Sequence, residues 1–129
     1  MREVARESMA PFVARLPRGI ERPRLLGTSG TVTTLASVHL GLSSYDRSAV
    51  DGLIVPAASM RAISAMLAGR SVAERATLPC IGTERADLVV AGCAILETIL
   101  DLWPAERLGI ADRGIREGIL KRLMGSAGV

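Results

Sequence analysis

Residues 24–34 read Arg-Leu-Leu-Gly-Thr-Ser-Gly-Thr-Val-Thr-Thr. An apolar pair runs into a loop of small residues, and the loop runs into a segment with helical character. Gly27 and Gly30 allow a tight backbone turn and a close approach to a ligand. Thr28, Ser29 and Thr31 add hydroxyls, and a helix beginning near Thr31 would aim its free N–H groups at the loop. This is the arrangement that binds phosphate oxygens. The spacing matches neither G-x-x-x-x-G-K-[ST] nor G-x-G-x-x-G. An ordinary strand-to-helix turn with a threonine cap accounts for the same residues.

The rest of the composition narrows the chemistry. The chain has 129 residues, the size of one domain, and 49% of them are hydrophobic. Aromatic residues make up only 2%, so the core must be built from Leu, Ile, Val, Ala and Met. Stacking platforms for single-stranded nucleic acid are scarce, and no nucleic-acid partner is expected. The net charge is +3 and comes almost entirely from arginine, Lys121 being the sole lysine. This fits a mild attraction for polyanions, without a dense basic patch. Cys80 and Cys93 lie far apart with no C-x-x-C, and His39 is the single histidine, which argues against zinc and for reduced thiols. With Arg2, Glu3, Arg6 and Glu7 in its first turns, residues 1–16 are not expected to be a signal peptide. No apolar stretch is long enough to span a membrane, so a cytoplasmic location and no membrane partner are expected.

Several elements must position the loop. Residues 1–16 predict a helix with Val4, Met9, Phe12, Val13 and Leu16 on one stripe, and with Pro11 as a kink or boundary. Pro17, Gly19 and Pro23 mark a loop. Arg24–Leu26 read as a short strand, Thr31–Leu40 as a helix ended by Gly41, and Val50–Val55 as a second strand stopped by Pro56. His39 reads as a helix-end residue. Ala57–Ala68 is helical, with Met60, Ile63, Met66 and Leu67 inward. Ser71-Val72-Ala73-Glu74 is a capping box. Glu84–Trp103 predicts one long helix with Leu88, Gly92, Ile95, Leu96, Ile99, Leu100 and Trp103 on its buried stripe. Gly92 in mid-helix implies a close helix–strand or helix–helix contact. Arg107–Ala111 alternates as a strand, Asp112-Arg113-Gly114 is a turn, and Ile115–Met124 is a last helix with Ile115, Ile119 and Leu123 aligned. The pattern is α/β and helix-rich, with about three short strands. Strand-loop-helix occurs twice, and ligands in such folds sit at the carboxyl ends of strands.

Four segments in order resemble the exopolyphosphatase / guanosine pentaphosphate phosphohydrolase family: residues 25–35; Tyr45-Asp46-Arg47 with Val50-Asp51-Gly52; residues 80–87 with Ala91-Gly92 and Ile95-Leu96; and residues 111–120. The resemblance implies a partial RNase H-like domain of the actin / sugar kinase superfamily. It also implies a bacterial enzyme that cleaves terminal phosphoanhydride bonds of inorganic polyphosphate or guanosine pentaphosphate, the latter linked to the stringent response, with Mg2+ as cofactor. Members have two such domains with the active site between them. Residues 1–129 resemble the later part of the second domain alone, with 125–129 as a frayed tail. The family's catalytic base and opposite phosphate loop have no counterpart here, so the chain is expected to be an incomplete piece, inactive alone and without a bound metal.

By this resemblance Gly27, Thr28, Ser29, Gly30 and Thr31 contact phosphates across the cleft. Asp112 either faces the cleft, holding a metal-bound water or an arginine, or caps the final helix. Arg116 either reaches a phosphate or pairs with Glu117 or Asp112. Arg85 and Asp87 supply a salt bridge or a substrate contact, and Tyr45, Asp46 and Arg47 anchor a loop. Glu117 is not assigned as a base, because the family's base lies in the missing part. The alternatives are a stand-alone binding module that covers its missing sheet by pairing with a partner or as a homodimer, and a nucleotide-binding half of a sugar-kinase-like protein.

Overall fold

A computed structural model describes residues 1–16 and 23–128. The loop expected at Pro17 and Gly19 lies outside the described residues. The elements follow in the order α1 (Arg2–Arg15), β1 (Leu25–Gly27), α2 (Gly30–His39), α3 (Arg47–Val50), β2 (Ile54–Pro56), α4 (Ala57–Ala68), α5 (Val72–Ala76), α6 (Gly82–Arg85), α7 (Val89–Leu102), β3 (Arg107–Ile110) and α8 (Ile115–Ser126). The three strands form one mixed sheet in the order β1-β3-β2, with β1 parallel and β2 antiparallel to β3. Leu25 pairs with Leu108 and Gly27 with Ile110, so β1 and β3 end side by side. The N–H of Ala111 continues the ladder onto the Gly27 carbonyl at 2.9 Å.

One face of the sheet is packed. Val55, Leu108 and Ile110 point from it into a core shared with Leu35 and Ala36 of α2, Met60 and Leu67 of α4, and Val89, Cys93, Leu96 and Leu100 of α7. Among the described residues nothing covers the opposite face: Leu26 is 67% and Ile54 62% exposed. A groove of about 680 Å3 runs along this bare face beside Arg24, Pro104 and Arg107.

Several expected elements shift. The second strand starts at Ile54, because Asp46 caps a helical turn over Arg47–Val50 by accepting from the N–H groups of Ser48 and Ala49. The predicted long helix is two. The chain bends at residues 86–88, where Ala86 is buried and Leu88 is 69% exposed, and Arg85 of α6 donates to Thr34 of α2. Consequently α7 turns Val89, Cys93, Leu96 and Leu100 inward, and Ile95 faces out. Pro11 does not end α1, which runs through it from Arg2 to Arg15. The α1 stripe is exposed at Val4, Phe12, Val13 and Leu16. Ala5 is the residue that packs down, and Arg2 and Arg6 tie the helix to Glu97 and Asp101 of α7. α8 runs on through Gly125 and Ser126, where the tail was expected to begin. Its apolar residues, Ile115, Ile119, Leu120, Leu123 and Met124, are all exposed.

The capping box at α5 forms as expected. Ser71 Oγ accepts from the Glu74 N–H at 3.2 Å, and the Glu74 carboxylate accepts from the Ser71 N–H at 2.7 Å. The bond from the Ser71 N–H favours the ionised Glu74, whose pKa lies below its ordinary value. α5 carries the buried Arg75, which donates to the Leu67 carbonyl. Ser71→Ala is therefore expected to cost about 1 kcal/mol in urea denaturation, with no change in the slope of the transition.

Candidate functional site

Because β1 and β3 are parallel and end together, the loops that follow them meet. Thr28 and Ser29 leave β1 and lead into α2, while Asp112, Arg113 and Gly114 leave β3 and lead into α8. Two clefts open there. One, of about 350 Å3, is lined by Thr28, Arg47, Asp112, Arg113, Arg116 and Glu117 among others. The other, of about 390 Å3, is lined by Thr28, Ser29, Gly30, Tyr45, Cys80, Arg85 and Asp112 among others. Thr28 and Asp112 are common to both.

The glycines serve packing and space more than turn geometry, since neither has a positive φ. A Cβ on Gly27 would lie 2.8 Å from the Val32 side chain, so Gly27 lets α2 approach the strand. A Cβ on Gly30 would meet nothing within 4 Å, so the open end of α2 is accessible. Ser29 is the N-cap residue, in extended conformation, but its side chain makes no capping bond. The Thr33 hydroxyl instead donates back to the Ser29 and Gly30 carbonyls. The first N–H groups of α2 thus lack a side-chain partner, the condition under which a helix end takes an anion. Thr31 departs from the rest of the loop. Its hydroxyl lies against Gly92 of α7, where an added Cβ would be only 2.1 Å away. Its side chain therefore lines neither main cleft. The close helix–helix contact expected at Gly92 is this one.

Asp112 does not cap α8; Gly114 occupies that position. The Asp112 carboxylate accepts from the Tyr45 hydroxyl at 2.5 Å and pairs with Arg47 at 3.4 Å. Its N–H donates to Asp51 at 2.9 Å. Arg47 also donates to the Asp112 carbonyl at 2.5 Å and to Glu117 at 3.3 Å. Arg113 pairs with the other oxygen of Asp51 at 2.9 Å. The Gly114 N–H donates to Glu117 at 2.7 Å. Each acceptor favours its charged form, so Asp51 and Glu117 have lowered pKa values, Asp51 chiefly through the Asp112 N–H and Glu117 chiefly through the Gly114 N–H. Glu117 is thereby engaged as a structural acceptor. Arg116 makes no ion pair among the described residues, so neither expected pairing forms. Arg85 forms no salt bridge among them either. Its guanidinium donates to the Thr34 hydroxyl at 3.0 Å.

Sequence reading treated Tyr45 and Arg47 as a loop anchor and missed that they clasp the second loop of the site. The partners lie 65 to 70 residues apart in the chain, beyond any local pattern. The signal available was their place in the second resembling segment.

Partial burial, and then the hydrogen bond to Asp112, raise the Tyr45 phenol from 10.0 to about 12. A raised pKa means that the contact stabilises the fold below the ordinary phenol value and is lost as pH rises through the folded one. Tyr45 is the only tyrosine. Spectrophotometric titration of phenolate is expected to show one transition displaced upward to about 12, and Asp112→Ala is expected to bring it back toward the ordinary value.

Comparisons with known proteins identify the family. The model of the Ppx/GppA phosphatase family matches residues 1–127. Exopolyphosphatase 2 of Mycobacterium tuberculosis is 27% identical over 128 residues, covering 96% of this chain and 40% of that protein. The chain thus spans about two fifths of the length of that relative. A Ppx/GppA phosphatase of Aquifex aeolicus superposes with a TM-score of 0.80 at 23% identity, over 92% of this chain and 38% of that one. An exopolyphosphatase of Cytophaga hutchinsonii does so at 0.78 and 18%, over 97% and 42%. These solved structures share the fold, the partial actin-like α/β architecture expected above. With the family pattern present along nearly the whole chain, and with this fold beneath it, the chain belongs to the Ppx/GppA phosphatase family.

Proposed function

We propose that this chain forms the phosphate-contacting wall of a cleft that hydrolyses terminal phosphoanhydride bonds of inorganic polyphosphate or guanosine pentaphosphate, and that the water-activating base comes from the part of the enzyme not represented in these residues. The observation that carries the reading is the meeting of the two loops beside the uncapped end of α2. Backbone N–H groups of α2 and the Thr28 and Ser29 hydroxyls bind phosphate oxygens there and stabilise charge on the transferred phosphoryl group. Thr31 contributes through its backbone. The exposed apolar residues of α8 and the bare sheet face fit surfaces that a second domain would cover.

Magnesium fits this site as an ion carried mainly by substrate phosphates, which is how Mg2+ is usually held. Asp51 has both oxygens engaged. Asp112 accepts from Tyr45 and Arg47 through Oδ2, and no group of three or more metal-ligating side chains gathers among the described residues, so the phosphates would supply most of the ligands. When bound, the ion would neutralise charge on the phosphate chain.

Two measurements test the reading. Phosphate and polyphosphate titrations followed by backbone amide NMR are expected to shift Gly30, Thr31 and Val32 first, and a response confined to other regions would refute it. Turnover of polyphosphate by the 129-residue chain, at the rate of a whole family member, would show that the base is not elsewhere. The same bare surfaces support a second reading, a module that covers them by self-association. Sedimentation as a clean monomer over a wide concentration range would eliminate that alternative. Preference for ATP over polyphosphate would favour a kinase-like role instead.

A further inference from the structure

Between α4 and α7 the chain makes a detour, residues 71–86, which carries α5 and α6. The detour supplies one wall of the cleft of about 390 Å3, through Pro79, Cys80, Ile81, Gly82 and Arg85. Its backbone hydrogen bonds close on near neighbours in sequence, and among the described residues none reaches another element. Three side-chain bonds tie it to the rest of the fold, each at a different place. Arg75 donates to the Leu67 carbonyl in the last turn of α4 at 3.2 Å. The Cys80 thiol donates to the Leu42 carbonyl beyond α2 at 3.0 Å, and Arg85 to the Thr34 hydroxyl of α2 at 3.0 Å. Ile81 and Ala86 are buried, but Ala76 and Leu78 only partly so. A segment with few buried apolar groups and no backbone bonds to its surroundings opens at a lower free energy than the core. The Arg75 tie also works against closure. The side chain is 8% exposed, its Nε has no hydrogen-bond partner, and no carboxylate pairs with it among the described residues. A buried cation without a counter-ion is costly, and lifting the detour returns it to water.

We infer that residues 71–86 are a movable wall of the candidate site, a gate that swings as one body and opens the cleft while the sheet, α2, α4 and α7 stay in place. Hinges of this kind sit at the ends of elements. Here they are Gly69 and Arg70, where α4 stops, and the bend at residues 86–88, before α7 begins. The bonds from Cys80 and Arg85 hold the gate shut, and the unpaired charge of Arg75 loosens it. The gate governs entry to the cleft whatever ligand enters, so it does not rest on the phosphate reading of the α2 end.

The two cysteines supply a reporter and its control. Cys80 rides on the gate, and Cys93 is buried in α7 at 2% exposure. The wild-type chain, Thr34→Val and Arg75→Met are treated with an uncharged aromatic disulfide, without urea and in low urea, and labelling of each thiol is followed by mass spectrometry. Cys80 is expected to react through local opening, at a rate that hardly responds to urea, whereas Cys93 waits for global unfolding. Thr34→Val keeps the branched shape and removes the acceptor of Arg85, so Cys80 should react about tenfold faster relative to Cys93. Arg75→Met keeps the apolar stem and removes the unpaired charge. The Leu67 carbonyl retains its bond from the Arg70 N–H at 3.2 Å. Cys80 should then react at least about fivefold more slowly relative to Cys93. Hydrogen exchange should give the amides of α5 and α6 one shared opening free energy, below that of α4 and α7. Labelling of Cys80 no faster than Cys93, or as fast as a free thiol in all three proteins, would overturn the gate. So would shifts of the same sign in the two variants, or separate exchange of α5 and α6. No readout involves phosphate, so a failed gate leaves the α2 end untouched, and a failed phosphate titration leaves the gate untouched.

Discussion

Replacing Gly92 by valine is expected to lower the unfolding free energy by about 3 kcal/mol, near the upper end of the cost of overpacking. Glycine in mid-helix normally costs about 1 kcal/mol against alanine, so a substitution there would ordinarily stabilise α7. Here the sign reverses. A Cβ at position 92 would sit 2.1 Å from Thr31 Oγ1, 2.8 Å from its Cγ2 and 3.0 Å from its Cβ. Rotation of Thr31 relieves the first two contacts but not the third. The helices must separate at the N-terminal end of α2, the end that adjoins the glycine and hydroxyl loop. Thr31→Ala in the same chain is expected to recover at least about 1 kcal/mol of the loss, a coupling that only residues in contact show. Urea denaturation of the two single variants and the double variant measures this. An unchanged midpoint in the Gly92→Val protein would mean that α2 and α7 do not meet at this point.

Gly30→Asp is expected to separate folding from binding. Nothing lies within 4 Å of a Cβ added at Gly30, so the side chain is accommodated. Gly30 is the first residue of α2. A carboxylate in the first turn interacts favourably with the helix dipole by about 0.3–1 kcal/mol, and aspartate is a better helix residue than glycine. The melting temperature should stay level or rise. Under the proposed function the same carboxylate takes the place of a phosphate and repels it, so affinity for polyphosphate should fall at least about tenfold, equivalent to ~1.4 kcal/mol. Thermal melting and titration calorimetry on the same sample check both halves. A folded variant with undiminished phosphate affinity would remove α2 from the binding site.

Much of this molecule is legible residue by residue. The glycine and hydroxyl loop, the capping box at Ser71, the alternation of Leu108 and Ile110 and the helical period of Ala57–Ala68 are local signals, carried by neighbours a few positions apart. Local rules also account for the errors. The apolar stripes of α1 and α8 look like core to a periodicity argument, yet both face outward here, because a stripe records that a helix buries something and not what covers it. The long helix expected over Glu84–Trp103 has an unbroken period, and that period does not register the bend at residues 86–88, where Ala86 is buried and Arg85 bonds to Thr34 of α2.

The chemistry of the site divides the same way. Residue types and their order were enough to place a glycine and hydroxyl loop between a strand and a helix and to point to the family. Which cations are spent and which are free was not readable, since Arg47 finds Asp112 and Glu117 across 65 to 70 residues of chain. Nor was the fate of Asp112, a clasp for Tyr45 rather than a cap, or of the Thr31 hydroxyl, turned onto Gly92 instead of into the clefts. Those outcomes depend on which strand ends fall side by side, and the parallel pairing of β1 with β3 is a long-range choice made by burial of the core, not by any local propensity.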